Sequence, residues 1–101
     1  MNPSLIKMAK DGTDDMVLFE CPGCGFPHSV YVNTSVHPCW TWNGSLDSPT
    51  FSPSIKVTYP WGDPPVDKVC HSFVTDGKIQ FLGNCTHSLA GQTVPIPVWG
   101  E

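Results

Sequence analysis

Two cysteines two residues apart, in Cys21-Pro22-Gly23-Cys24-Gly25, constrain this chain more than any other feature. Thiolates at that spacing can grip one tetrahedral Zn²⁺ from a single tight turn. Pro22 fixes one backbone angle of the turn. Gly23 and Gly25 permit positive φ, so that backbone N–H groups can point at the sulfurs. The competing use of such a pair is a redox dithiol, which sits at the start of a helix in a βαβ setting. Here Gly25-Phe26-Pro27 opposes a helix, and the metal reading stands.

A two-residue knuckle supplies half of a ligand set, and the second half is sought further along. Val69-Cys70-His71-Ser72-Phe73-Val74-Thr75 and Lys78-Ile79-Gln80-Phe81-Leu82-Gly83 flank Asp76-Gly77, a strong two-residue hairpin signal. With that turn, Thr75 faces Lys78 and Cys70 faces Gly83. Cys85 then lies one diagonal step further on the same face. Val74, Ile79 and Phe81 share the face, whereas His71 and Phe73 point away. Cys21, Cys24, Cys70 and Cys85 are therefore the expected ligands of one structural Zn²⁺. His87, His28 and His71 are the alternatives for the fourth position. The chain has five cysteines, an odd number that suits four ligands and one spare thiol better than a disulfide framework. Cys39, between Pro38 and Trp40, is the spare.

The remaining segments read as strands and turns. Eleven prolines and nine glycines favour short strands over long helices. Residues 5–10 and Met16-Val17-Leu18-Phe19 read as a hairpin about Asp11-Gly12, and His28 to Val32 as the strand leaving the knuckle. Trp40-Thr41-Trp42 alternates as a strand does, before a tight turn at Asn43-Gly44. Residues 47–54, with two prolines, read as an extended hydroxyl-rich segment laid over the body. Ile55 to Tyr59 alternates as a strand, residues 60–65 read as a loop, and His87 to Ala90 as one helical turn ended by Gly91. Thr93 to Pro97 is too rich in proline for a central strand. The fold class expected is all-β, small and loop-rich, with zinc-ribbon-like hairpins around one metal and little helix. The whole of residues 1–101 forms a single domain.

Charge narrows the partners. The formal net charge is −4, and the five lysines are scattered, which opposes capture of nucleic acid. No apolar run reaches membrane-spanning length, and Met1-Asn2-Pro3-Ser4 lacks the pattern of a signal peptide. A reducing cytoplasm is the expected compartment.

With these segments in view, the chain resembles a family of small phage- and prophage-encoded zinc-binding proteins of unknown function, some labelled "ammonia monooxygenase". The resemblance runs from Cys21 nearly to Pro97. It rests on CPGCG, on WTWNGSLDSPTFSPSI (residues 40–55) and on CHSFVTDGKIQFLGNCTHSLAGQTVPIP (residues 70–97). It implies a zinc protein of the host bacterial cytoplasm, and it brings Cys70-His71 and Thr86-His87 into the family signature. The monooxygenase label does not fit, because that enzyme is a large membrane copper system.

Two functions compete at this level. The first is a non-catalytic protein-interaction module, stabilised by zinc, whose partner is a host or phage protein. Its surface would use Trp61 and residues 47–54. The second is a small metal-dependent hydrolase or ligand-binding protein that uses His71 or His87 near the metal. Asn43, Asp47, Thr50 and Ser52 are its further polar groups, although turn-making and loop-capping account for them equally well. No ordered set of nucleophile, base and orienter is legible in the sequence. A closed thiolate site is structural, so the balance falls against catalysis.

Overall fold

Alternating burial along the strands builds two antiparallel sheets around one core. The computed structural model describes residues 4–32 and 39–100. Met1 to Pro3 and Pro38, which entered the sequence reading, lie outside the described residues. Strands β1 (Ile6–Asp11), β2 (Asp14–Glu20) and β3 (Pro27–Val32) form a three-stranded sheet in that order. Strands β4 (Thr41–Trp42), β5 (Phe51–Trp61), β6 (Val66–Thr75), β7 (Lys78–Phe81) and β8 (Thr93–Pro95) form a five-stranded sheet, again in chain order. No helix occurs among the described residues, and none is long and apolar enough to cross a membrane. The all-β expectation is met.

Every second side chain of the central strands turns inward, as the pleat requires. Val17 and Phe19 of β2 and Val30 and Val32 of β3 meet Phe51, Ile55, Val74, Ile79 and Phe81 of the larger sheet in one apolar cluster. The rings of Phe19 and Phe51 stack across the gap between the sheets, centroids 6.2 Å apart. Each such ring contributes about 1.5–3 kcal/mol by leaving water. Cys70 and Cys85 belong to the same buried cluster, so the thiols of the later segment lie at the end of the core.

The hairpin about Asp76-Gly77 has the expected register, with Thr75 opposite Lys78 and Val74 opposite Ile79. Gly77 adopts φ 78° and Asp76 φ 50°, the left-handed pair that a tight hairpin turn demands. The pairing stops at Phe81, however. The Cys85 N–H donates to the Leu82 carbonyl at 3.2 Å, and the Thr86 N–H rejoins β6 at the Val69 carbonyl, 2.9 Å. Residues 82–85 thus form a turn where the regular strand was expected to run on past Gly83. The proline-rich Thr93–Pro95 is an edge strand, which tolerates a missing donor.

The middle of the chain departs most from expectation. β5 runs from Phe51 through Pro60 to Trp61, where the sequence suggested only residues 55–59. The loop expected over residues 60–65 is a short turn, because Trp61 pairs with Val66 and Pro60 with Asp67. Neither Pro53 nor Pro60 prevents a strand. Pro53 falls in the register shift between Phe51 and Ile55, and bulges accept proline.

The segment before β5 is held by its own polar groups, which bears out the turn-making account of Asn43. The Asn43 side-chain oxygen accepts from the backbone N–H groups of Ser45 and Thr50, each at 3.1 Å. Its amide donates to the Ser48 carbonyl at 3.0 Å. The Asp76 N–H donates to the Thr50 hydroxyl at 2.9 Å, which ties this loop to the tip of the β6–β7 hairpin. The loop therefore fixes where β5 begins.

Candidate functional sites on the two faces of β6

Neighbouring residues of a strand face opposite ways, so Cys70 and His71 present their side chains to different sides of the larger sheet. Cys70 points inward and is buried, whereas His71 is half-buried on the outer face. Each is the centre of a separate constellation.

On the inner side, the knuckle closes as its residue types require. The Gly25 N–H donates to the Cys21 carbonyl at 2.9 Å, and the Cys24 N–H donates to the Cys21 sulfur at 3.4 Å. Gly25 takes φ 79°, but Gly23 does not have positive φ. Gly23 is needed for space instead. A Cβ there would stand 2.7 Å from Nδ1 of His87 and closer still to its Cε1 and Nε2. The ring is pinned, since the Leu89 N–H donates to its Nδ1 at 3.2 Å and its face meets the Phe81 ring edge-on, 4.4 Å between centroids. Gly23→Ala should therefore destabilise the protein by about 1–3 kcal/mol, as overpacking does. A urea titration checks this, and an unchanged midpoint would mean that His87 yields freely.

Across the core from the knuckle stands Cys70, its sulfur 3.8 Å from that of Cys21. One donor atom from each of Cys21, Cys24, His28 and Cys70 lies within 4.8 Å of all the others, an arrangement that can hold a metal ion. His28 is 4 % exposed and wedged edge-on against both Phe19 and Phe26. Its Nε2 is buried without a hydrogen-bond partner. A buried orphan nitrogen is costly unless something takes its lone pair, and a cation among three sulfurs does so. The donor set fits a tetrahedral Cys₃His site.

The electrostatics of the thiols point the same way. The sulfur–sulfur contact with Cys70 pulls the Cys21 pKa down to about 4. The same contact, with burial, drives the Cys70 pKa far up. Burial also raises Cys24, and the Tyr59 hydroxyl beside it is pushed up to about 12 by its bond to that sulfur. Without a cation, burial and the neighbouring sulfurs work against ionising Cys24 and Cys70. A dication lets all three sulfurs ionise.

The other expected ligands sit differently. Cys85 does not join that four-residue group; its sulfur clusters with Cys70 and His87 instead. His87 lines a cleft of about 260 Å³ beside Cys24, with Phe26, Tyr59, Trp61 and Lys68. Since its Nδ1 accepts from Leu89, a neutral His87 carries its proton on Nε2. That nitrogen is also buried without a partner, and it suits donation to a sulfur better than coordination. Cys39 belongs to neither group.

His71 faces away from the sulfurs and has both ring nitrogens engaged. Ser54 Oγ lies 3.0 Å from Nε2, and the Asn84 side-chain amide lies 3.3 Å from Nδ1. The strand pairing accounts for the first contact. Lys56 is opposite His71, and Ser54 is two residues earlier on the same face of β5, a diagonal neighbour. The turn at residues 82–85 brings Asn84 over the other edge of the ring. The Trp40 indole N–H donates to the Ser54 carbonyl at 3.2 Å and holds the irregular stretch in place.

A hydroxyl, an imidazole and an amide stand in file, the order that a nucleophile, a base and an orienter require. For Nε2 to accept the Ser54 proton, Nδ1 must carry the other and donate to the amide oxygen of Asn84. The amide nitrogen now stands beside Nδ1, and a half-rotation that exchanges the amide N and O brings the oxygen there. Sequence reasoning named His71 but passed over Ser54 and Asn84. Asn43 and Thr50, two of the polar groups it named, bond instead within the loop before β5 and to the hairpin tip.

No curated protein and no solved structure matches this chain. A family model does match, over residues 1–82, a span that contains Ser54, His71 and three of the cysteines at the metal cluster but stops short of Asn84. The chain belongs to the family described as bacterial ubiquitination-like system serine protease (BubE).

Proposed function

We propose that this chain is a serine protease serving a bacterial ubiquitination-like system, with Ser54 as nucleophile, His71 as base and Asn84 as orienter. The observation that carries the reading is the 3.0 Å approach of Ser54 Oγ to Nε2 of a histidine whose other nitrogen faces an amide. The family description agrees with it independently.

The chemistry follows from these three groups. Ser54 Oγ attacks the carbonyl carbon of the scissile bond as Nε2 of His71 takes its proton. Collapse of the tetrahedral intermediate expels the amine, which receives that proton. The acyl group on Ser54 then passes to water, His71 again accepting and returning one proton. Asn84 keeps the Nδ1–H tautomer and the ring angle. It does so without the negative charge of an aspartate, so the imidazolium is less stabilised than in an aspartate triad.

Cys21, Cys24, Cys70 and His28 hold one structural Zn²⁺ in this reading, with no open position for substrate. Unoxidised thiolates at such a site suit a reducing compartment, which supports the bacterial cytoplasm. A phage or prophage origin rests on the family resemblance described above.

The interaction-module reading is supported by one observation. Trp61 is 65 % exposed at the rim of the cleft beside Cys24, and exposed aromatics concentrate binding energy. It describes a docking surface for a host or phage protein on the side away from Ser54. The two roles are separable, because a Ser54 variant would keep the docking surface.

A fluorophosphonate probe tests the protease reading directly. Incubated with the zinc-loaded protein, it should attach to Ser54, as mapped by peptide mass spectrometry, and not to Ser52 in the same stretch. An unlabelled Ser54 would remove the reading.

A further inference from the structure

We propose that Cys85 is a positioning residue for the catalytic histidine, acting through the His71 backbone, and that it does not coordinate the metal. The inference rests on the serine-protease reading above. Its physical origin is the break in the β6–β7 ladder. In a regular antiparallel pair, His71 and Leu82 would exchange both backbone hydrogen bonds. The Leu82 N–H does donate to the His71 carbonyl, at 2.9 Å, but the Leu82 carbonyl accepts from the Cys85 N–H instead. The His71 N–H is left without its ladder partner.

The Cys85 thiol fills that vacancy. Its sulfur accepts from the His71 N–H at 3.2 Å and donates to the His71 carbonyl at 3.2 Å. One buried side chain thus holds both backbone polar groups of the residue that carries the base. Cys85 is 8 % exposed, so water does not readily replace it. Cys85 is also the covalent neighbour of Asn84, and the turn that brings its sulfur to the His71 backbone brings the Asn84 amide to the His71 ring. A single turn therefore sets the height of the imidazole and the place of its orienter. The four donors that converge on one point do not include Cys85, and its sulfur faces the His71 backbone instead.

The test compares Cys85→Ala and Cys85→Ser with the native zinc-loaded protein. It follows p-nitrophenyl acetate hydrolysis, the rate of fluorophosphonate attachment to Ser54, and zinc content. The alanine variant leaves the His71 N–H unpaired and frees the ring to drift. Its kcat should fall by about 10- to 100-fold, the scale of a misplacement of about 1 Å, with KM little changed and probe attachment slowed in proportion. A serine hydroxyl can accept from the N–H and donate to the carbonyl, so Cys85→Ser should recover most of that loss. Both variants should keep one zinc per chain.

Loss of zinc from Cys85→Ser would show a ligand and overturn the inference. So would a serine variant no better than alanine, or an alanine variant with native kcat. If alanine prevents folding, the serine variant and its zinc content still decide. Failure of the native protein to react with either reagent would remove the protease reading itself, and this inference with it. Native activity with an indifferent Cys85 would remove only the inference.

Discussion

Replacing Ser54 by alanine should lower kcat for p-nitrophenyl acetate by at least about 10⁴-fold, on the scale of nucleophile deletions in triad enzymes. His71→Ala should cost as much, and the double variant little more, because the two act as one unit. Ser52→Ala should leave the rate unchanged. Ser54 lies half-buried on the outer face and contributes no side chain to the core, so its loss should shift stability by less than about 0.5 kcal/mol. An inactive variant with a native unfolding midpoint is the expected signature. Asn84→Asp is the complementary change. A carboxylate at that position fixes the Nδ1–H tautomer and stabilises the imidazolium, so kcat should rise. Substantial activity in Ser54→Ala would mean that a different nucleophile is at work. A fall in Asn84→Asp would mean that Asn84 does not serve His71.

Removal of the metal should unfold the protein. Structural zinc contributes about 10–16 kcal/mol in small domains, which equals or exceeds the whole stability of a domain of this size. Three sulfurs and one imidazole converge from the knuckle, β3 and β6. Without the cation they leave three crowded sulfurs and an orphan buried nitrogen in the core. Treatment with a strong chelator should abolish the near-ultraviolet circular dichroism of the tryptophans and, with it, hydrolysis. The loss should be easier at low pH, where protons compete for the thiolates. Cys21→Ser and Cys70→Ser should each fail to retain zinc. A folded, unoxidised, metal-free protein would end the structural-metal account. Retained hydrolysis in such a protein would show that the two faces of β6 are independent. The expectation that they are not comes from adjacency, because Cys70 and His71 share a peptide unit. Whatever anchors the first limits the second.

The metal half was largely legible because its determinants are local. A cysteine pair in a Pro-Gly turn and a hairpin at Asp76-Gly77 are short-range signals. Register then carried Cys70 to the inner face with Val74, Ile79 and Phe81. The fourth donor was not legible. His28 was one of three alternatives, and only the packing of β3 against the knuckle brings its ring to the sulfurs. Cys85 was read as continuing a straight strand. The turn at residues 82–85 sent its sulfur to the His71 backbone instead.

The grouping of Ser54, His71 and Asn84 shows a longer-range limit. Residues 60–65 read as an open loop, which left β5 and β6 with no stated register. Taken as a tight connection between Trp61 and Val66, they would have put Lys56 opposite His71 and Ser54 diagonally beside it. That signal was present but masked by Pro60, Pro64 and Pro65, which argue against strand. Asn84 had none, since its place depends on where the ladder breaks.

What the sequence by itself determined is the set of local choices: an all-β chain, a thiolate knuckle, a hairpin and the inward face of each strand. These follow from turn chemistry and from a period of two, both written within a few residues. The tertiary structure alone decided which distant groups meet, namely His28 with three sulfurs and Ser54 with His71 and Asn84. Those meetings depend on strand order, on the bulge before Ile55 and on the turn after Phe81. Each is a balance of packing and backbone pairing summed over the whole core.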